Sequence, residues 1–382
     1  MIFVAVAVAL ILFIILNFYI GLKGYYFFNT ILPLPNKYIY WSIFIIIACS
    51  FILGQVGRRF MPESVAQFFE IVGSYWIAAF EFFIIIYILI DIFSFLVKLS
   101  GVSQGINSNK AVSLNLFILL FVIGILVYGT YHSKDTKIVK QQLTIAKKAG
   151  SIKELNIVMV SDIHLGEIIG TSRLTKMVNE INSLNPDIVL LAGDIIDNSI
   201  EPFKKYSMGQ EFLKIKSKYG VYSVLGNHEY IGGNIKETES EYKKAGINCL
   251  IDETVKIADS FYILGRNDLS SSRGGDARKT LAELLVSTDK SLPIIVMDHQ
   301  PSHLEEGEKN NIDLQFSGHT HSGQYFPNNL VTHLIFEKDW GFLKKGNSNF
   351  IVSSGYGTWG PPIRVGTDSE IINVVVNFKD VP

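Results

Sequence analysis

Ser161-Asp162-Ile163-His164 stands directly after the apolar run Leu155 to Val160. Four further segments of the same kind follow: Gly193-Asp194-Ile195-Ile196-Asp197, Gly226-Asn227-His228-Glu229, Asp298-His299-Gln300-Pro301 and Gly318-His319-Thr320-His321. Each sits at the end of an apolar stretch that reads as a buried strand: Leu155 to Val160, Ile188 to Ala192, Val221 to Leu225, Leu292 to Met297 and Ile312 to Phe316. Five of the chain's eight histidines fall in these segments. The donors on offer are carboxylates, an amide and imidazoles, enough for two metal ions sharing one carboxylate. No cysteine takes part, and such a set suits Mn, Fe or Zn. Two divalent cations held close together can polarise a phosphoryl group and deprotonate a water between them.

Thr171 opens a helical pattern between the first two strands, with Leu174, Met177, Val178 and Ile181 on one face. Toward the end, Phe350 to Ser353 and the β-branched stretch Glu370 to Phe378 read as further strands. Strands alternate with helices early and dominate late. That order fits two packed sheets flanked by helices.

This pattern resembles the calcineurin-like metallophosphoesterase family, over about Gln141 to Phe378 and nothing before it. The resemblance implies a four-layer α/β/β/α sandwich and a site for two divalent metals, Mn first with Fe or Zn as alternatives. It assigns Asp162, His164 and His321 to one metal, Asn227, His299 and His319 to the other, and Asp194 as the bridge. His228 matches the family's catalytic histidine, which is not a ligand, and Asp197 the residue that orients it. Gly318-His319-Thr320-His321-Ser322-Gly323-Gln324 and Gly357-Thr358-Trp359-Gly360-Pro361-Pro362-Ile363-Arg364 are similar to a membrane-anchored branch. Ser322 stands where that branch often has Gly. Asp298 stands where Ser is common, and it adds a negative charge near the second metal.

The first part of the chain is a different material. Ile2 to Ile20, Ile39 to Val56, Tyr75 to Leu96 and Leu114 to Tyr131 are apolar runs. Each is long enough to cross a bilayer, which takes about 20 helical residues. The first has no basic stretch before it and no small-residue cleavage site after it, so it reads as an uncleaved span. Residues 1–132 are then a membrane region of four transmembrane helices, 133–152 a basic juxtamembrane linker and 153–382 the phosphoesterase domain. Tyr38, Tyr40, Trp41, Tyr75, Trp76 and Tyr131 sit near span ends, as interfacial aromatics do. Glu81 and Asp91 fall in the third span, Asp91 near its end and Glu81 placed for an interhelical hydrogen bond. An even number of spans puts both ends of the region on one side. Arg58, Arg59, Lys134, Lys137, Lys140, Lys147 and Lys148 lie there, against Lys23, Lys37, Lys98 and Lys110 opposite. The positive-inside bias places the catalytic domain in the cytoplasm.

The formal net charge is −1. No basic block or Cys-His finger points to nucleic acid. Cys49 lies in a span and Cys249 in the other half, so no disulfide framework is indicated. Arg266 to Arg278 has the Ser, Gly and charge content of a flexible loop that could form a lid. Arg364 is placed either to grip a substrate phosphate or to make a structural salt bridge. Glu229 reads as a loop anchor, and His132 as interfacial. The function that follows is a membrane-bound phosphoesterase acting on a phosphoester or pyrophosphate of a lipid-linked or membrane-proximal substrate. Some membrane-bound relatives cleave such pyrophosphates, UDP-diacylglucosamine among them. A different class is a non-catalytic membrane sensor or scaffold that binds a phosphorylated ligand at the metal site. A third, a transporter with a regulatory tail, lacks an internal repeat to support it.

Overall fold

The computed structural model describes residues 2–32, 36–101, 108–274 and 277–379. The chain divides into a helical unit up to Thr130 and an α/β unit from Tyr131 onward. Helices α1 (Ile2–Ile31), α2 (Lys37–Gly57), α3 (Glu63–Leu99) and α4 (Ser108–His132) make up the first part. All four are long and apolar enough to cross a membrane. Two buried or half-buried ion pairs tie the helices together. Arg58 Nε donates to the buried Glu70 at 2.6 Å. Asp91, toward the end of α3, accepts from Lys23 Nζ at 2.8 Å and from the Tyr19 hydroxyl at 2.6 Å, so it is a paired charge. Neither Arg58 nor Lys23 is therefore a bare loop charge.

Two six-stranded sheets form the α/β unit. The first holds β1 (Thr136–Ile145), β12 (Ser369–Phe378), β2 (Glu154–Val160), β3 (Ile188–Ala192), β4 (Val221–Val224) and β5 (Ile247–Cys249), in that spatial order. The second holds β10 (Gly341–Lys345), β11 (Ser348–Val352), β9 (Leu314–Ser317), β8 (Ile294–Met297), β7 (Phe261–Gly265) and β6 (Glu253–Ile257). Strands β2 to β5 run parallel, as do β7, β8, β9 and β11. Period-two alternation sends neighbouring residues to opposite layers. Leu155, Ile157 and Met159 join Ile188, Leu190, Ile295, Met297, Leu314 and Phe316 between the sheets. Val158, Val160, Val189 and Leu191 face outward against Leu174, Met177, Val178 and Ile181 of helix α5 (Thr171–Ser183). At about 1.5–3 kcal/mol per buried large aliphatic side chain, that one face holds α5 in place. The second sheet is covered by helices Leu281–Leu284 and Leu304–Lys309 through Leu281, Leu284 and Leu304. The result is the expected α/β/β/α sandwich preceded by four apolar helices.

Residues 133–152 are not a linker. Thr136 to Ile145 pair in parallel with Ser369 to Phe378 along their whole length, so this basic stretch is the edge strand of the first sheet. Lys137 pairs with Asp368 at 2.7 Å and Lys147 with Asp313 at 2.7 Å. His132, the last residue of α4, also meets Asp368 at 3.0 Å.

Candidate metal centre

The five segments meet at the ends of β2, β3, β4, β8 and β9. Their backbones are laced together: Asp162 N–H donates to Gly193 O (3.0 Å), His164 N–H to Asp194 O (3.0 Å) and Gly318 N–H to His299 O (2.8 Å). Asp162, His164, Asp194, His319 and His321 have left-handed backbone conformations, with φ between 51° and 71°. Non-glycine residues there cost about 1–3 kcal/mol each and cluster at functional sites. Two glycines let the carboxylates come close. A Cβ on Gly226 would lie 2.1 Å from Asp194 Oδ1, and one on Gly318 would lie 2.2 Å from Asp162 Oδ2.

All seven residues assigned as ligands converge. Asp162, His164 and His321 form one group whose donor atoms lie within 4.8 Å of one another, and Asp194, His299 and His319 form another. His164 Nε2 and His321 Nε2 face each other at 3.0 Å, and His321 Nε2 is 3.5 Å from Asp162 Oδ1. His299 Nε2 is 3.2 Å from Asp194 Oδ2 and 3.2 Å from Asn227 Oδ1, which also lies 2.8 Å from His319 Nδ1. Asp194 Oδ2 is 3.9 Å from His164 Nε2 as well, so this carboxylate reaches both groups.

The donor set fits divalent cations. His299 turns Nδ1 toward Ala192 O at 2.8 Å, which leaves Nε2 with a lone pair for the centre. Burial, then the His164 ring and the Arg364 guanidinium, hold His321 well below the usual imidazole pKa, and burial and then the His299 ring lower His319. His299 goes the other way, raised against its burial by the Asp194 carboxylate, so it would give up a proton on binding metal. Neutral imidazoles are the form a metal requires. Burial would raise the Asp194 carboxyl, but the His299, His164 and His228 rings outweigh it and keep the group ionised.

His228 and Asp197 sit beside this cluster. His228 Nδ1 meets the Asp197 carbonyl and lies 3.4 Å from Asp197 Oδ1, while His164 Nδ1 is 3.5 Å from the same oxygen. Burial alone would depress His228, yet the Asp197 hydrogen bond and the Asp194 charge push its pKa up to about 9. His228 also falls into a third donor group with His164 and Asp194. Glu229 anchors the loops, as expected of it. Its Oε1 accepts from Ile195 N–H (2.7 Å), Ile196 N–H (3.2 Å) and the Tyr242 hydroxyl (2.8 Å). Its Oε2 accepts from Gly226 N–H (2.7 Å) and Asp194 N–H (3.1 Å).

Three expectations change. Asp298 does not add free charge near the second metal: it is buried against Arg266 at 3.1 Å and against Arg278. The Arg266 to Arg278 stretch is anchored at both ends by that pairing. Asp268 adds a buried carboxylate that accepts from Gln300 Nε2 at 2.9 Å. Gly275 and Asp276 lie outside the described residues. Arg364 is fully buried and donates to the carbonyls of Ser354 (2.6 Å), Gly357 (2.8 Å) and Gly355 (3.2 Å), so it braces the loop behind Asp162 and His321 and does not grip a phosphate. Two aromatics at the centre carried no assignment. Trp359 lies 6.3 Å, ring to ring, from His228, and Phe336 lies 6.0 Å from His319. Trp359 sits in the quoted Gly-Thr-Trp-Gly stretch; nothing in the sequence placed Phe336.

A model of the calcineurin-like phosphoesterase family matches residues 155–323. An uncharacterized metallophosphoesterase of Campylobacter jejuni is 32% identical over 268 residues, covering 70% of this chain and 69% of the relative. The chain belongs to the calcineurin-like phosphoesterase family. A transmembrane protein with metallophosphoesterase domain from Danio rerio is 26% identical over 390 residues, covering 92% of this chain and 88% of that protein. That likeness therefore extends well before Gln141. An uncharacterized metallophosphoesterase of Aquifex aeolicus is 30% identical, covering 66% of this chain and 97% of its own.

Proposed function

We propose that this protein is a membrane-tethered phosphoesterase that holds two divalent metals, Mn first, and hydrolyses a phosphoester or pyrophosphate bond of a lipid-linked or membrane-proximal substrate. The observation that carries the reading is the convergence of Asp162, His164 and His321 with Asp194, Asn227, His299 and His319 around one shared carboxylate. Bound there, the metals would polarise the phosphoryl group and make water a competent nucleophile at neutral pH. Asp194 spans the two donor groups and keeps its charge. Asp197 fixes the His228 ring through Nδ1, leaving the other nitrogen to protonate the leaving oxygen. The Asp197 hydrogen bond favours the protonated form of the ring.

His228→Ala separates chemistry from binding. It is expected to retain both metals, measured by elemental analysis, while the rate on a chromogenic phosphoester falls about 10²-fold or more. Loss of a metal would instead make His228 a ligand with His164 and Asp194. A sensor or scaffold would bind the phosphoester and release it intact.

The positive-inside bias of Arg59 and the lysines after α4 supports a cytoplasmic catalytic unit. With Cys49 and Cys249 replaced, Ser151→Cys should resist a membrane-impermeant maleimide in intact cells and react after permeabilisation. Labelling of intact cells would move the active site, and its substrates, to the other face.

A further inference from the structure

The helix Asn328–Ile335 follows the candidate ligands His319 and His321 directly and contains no charged Asp, Glu, Lys or Arg. It has no buried residue. Leu330, Val331, Leu334 and Ile335 form an outward stripe at helical spacing, with Leu334 86% and Ile335 68% exposed. Phe326 before the helix, and Trp340 and Phe342 after it, are exposed too. The Trp340 indole N–H donates to Glu370 at 3.1 Å, so its polar atom is satisfied while its ring stays open. An apolar surface of this kind on a folded domain marks a protein or membrane contact.

The stripe is rigidly joined to the metal centre. A Cβ on Gly323, two residues after His321, would lie 2.1 Å from Asn329 N, so the helix sits directly on that turn. Thr332 Oγ1 donates to Asp339 Oδ2 at 2.9 Å, and Thr320 Oγ1 donates to the Asp339 carbonyl. Phe336 packs against His319 on this side of the centre, and the exposed Trp359 lies against His228 on the other.

We infer that the Leu330, Val331, Leu334 and Ile335 face is a membrane-insertion surface, seated in the acyl layer of the bilayer to which the four apolar helices tether the chain. The tether keeps a bilayer at hand throughout. A helix free of Asp, Glu, Lys and Arg, with exposed aliphatics and with the exposed aromatics Phe326 before it and Trp340 after it, matches the chemistry of the lipid interface. Seating it there would bring the donor cluster to the headgroup level. The inference does not depend on turnover.

The test uses the full chain in nanodiscs of phosphatidylcholine and phosphatidylglycerol, with Cys49 and Cys249 replaced and a nitroxide at Leu334→Cys or Val331→Cys. Val286→Cys, at an 84% exposed position, is the aqueous control. Both helix labels are expected to be more accessible to oxygen than to a water-soluble nickel chelate, the reverse of the control. Labels as open to the chelate as the control overturn the inference. So do labels shielded from both probes, which would mean a protein partner covers the helix.

Discussion

Asp194→Asn is expected to lose nearly all hydrolysis and much of its bound metal. Both carboxylate oxygens are in use. Oδ1 accepts the His228 N–H at 2.9 Å, and Oδ2 faces His299 Nε2 at 3.2 Å and His164 Nε2 at 3.9 Å. An amide can keep only one of these roles. If its oxygen stays on the His228 N–H, its NH₂ points at the imidazole lone pairs and cannot bridge two cations. If it flips, two N–H groups oppose each other in a buried site, and leaving such a donor unsatisfied costs about 1–3 kcal/mol. Elemental analysis and a phosphoester assay read the two consequences separately. A variant with wild-type turnover and two ions per chain would remove Asp194 from the centre.

Glu229→Ala should be the most destabilising single change near the site. It strands four backbone N–H groups, on Asp194, Ile195, Ile196 and Gly226, and the Tyr242 hydroxyl. At about 1–3 kcal/mol for each buried group left without a partner, even partial entry of water leaves a loss of at least about 3 kcal/mol. The loops of Asp194 and Asn227 would loosen together, so metal content should fall as well. Tyr242→Phe removes one of these bonds and should cost about 1 kcal/mol. Thermal unfolding of the three proteins in one detergent gives the order wild type, Tyr242→Phe, Glu229→Ala. Unchanged melting and metal content in Glu229→Ala would show that the loops are braced by something else.

Much of this could be read from residues alone, for a physical reason. The buried strands alternate between two apolar layers, so Leu155 to Val160 and Ile188 to Ala192 stand out against any polar background. The donor segments follow them immediately, which ties motif to strand end. What stayed hidden depends on partners far along the chain. Strand β1 carries Lys137, Lys140, Gln141 and Gln142, and as an edge strand it looks like solvated linker until Ser369 to Phe378 lies beside it. Asp298 reads as a free charge because Arg266 and Arg278 meet it only in the fold. Arg364 could be read either as a phosphate ligand or as a structural residue, because the inward turn of three carbonyls leaves no trace in residue types. The left-handed backbone at His164, His319 and His321 was equally invisible, since histidine is enriched there but only a small minority of residues adopt it.

The central claim is that two metals on this donor set hydrolyse a phosphoester. Purified full-length protein, stripped by chelation and titrated with Mn²⁺, tests it most directly against a panel of chromogenic, nucleotide and lipid phosphoesters. The account predicts two ions bound per chain, no turnover in the stripped protein, and hydrolysis of at least one class that rises as the second ion fills. Full loading with no turnover across the panel, or activity that survives chelation, would contradict it.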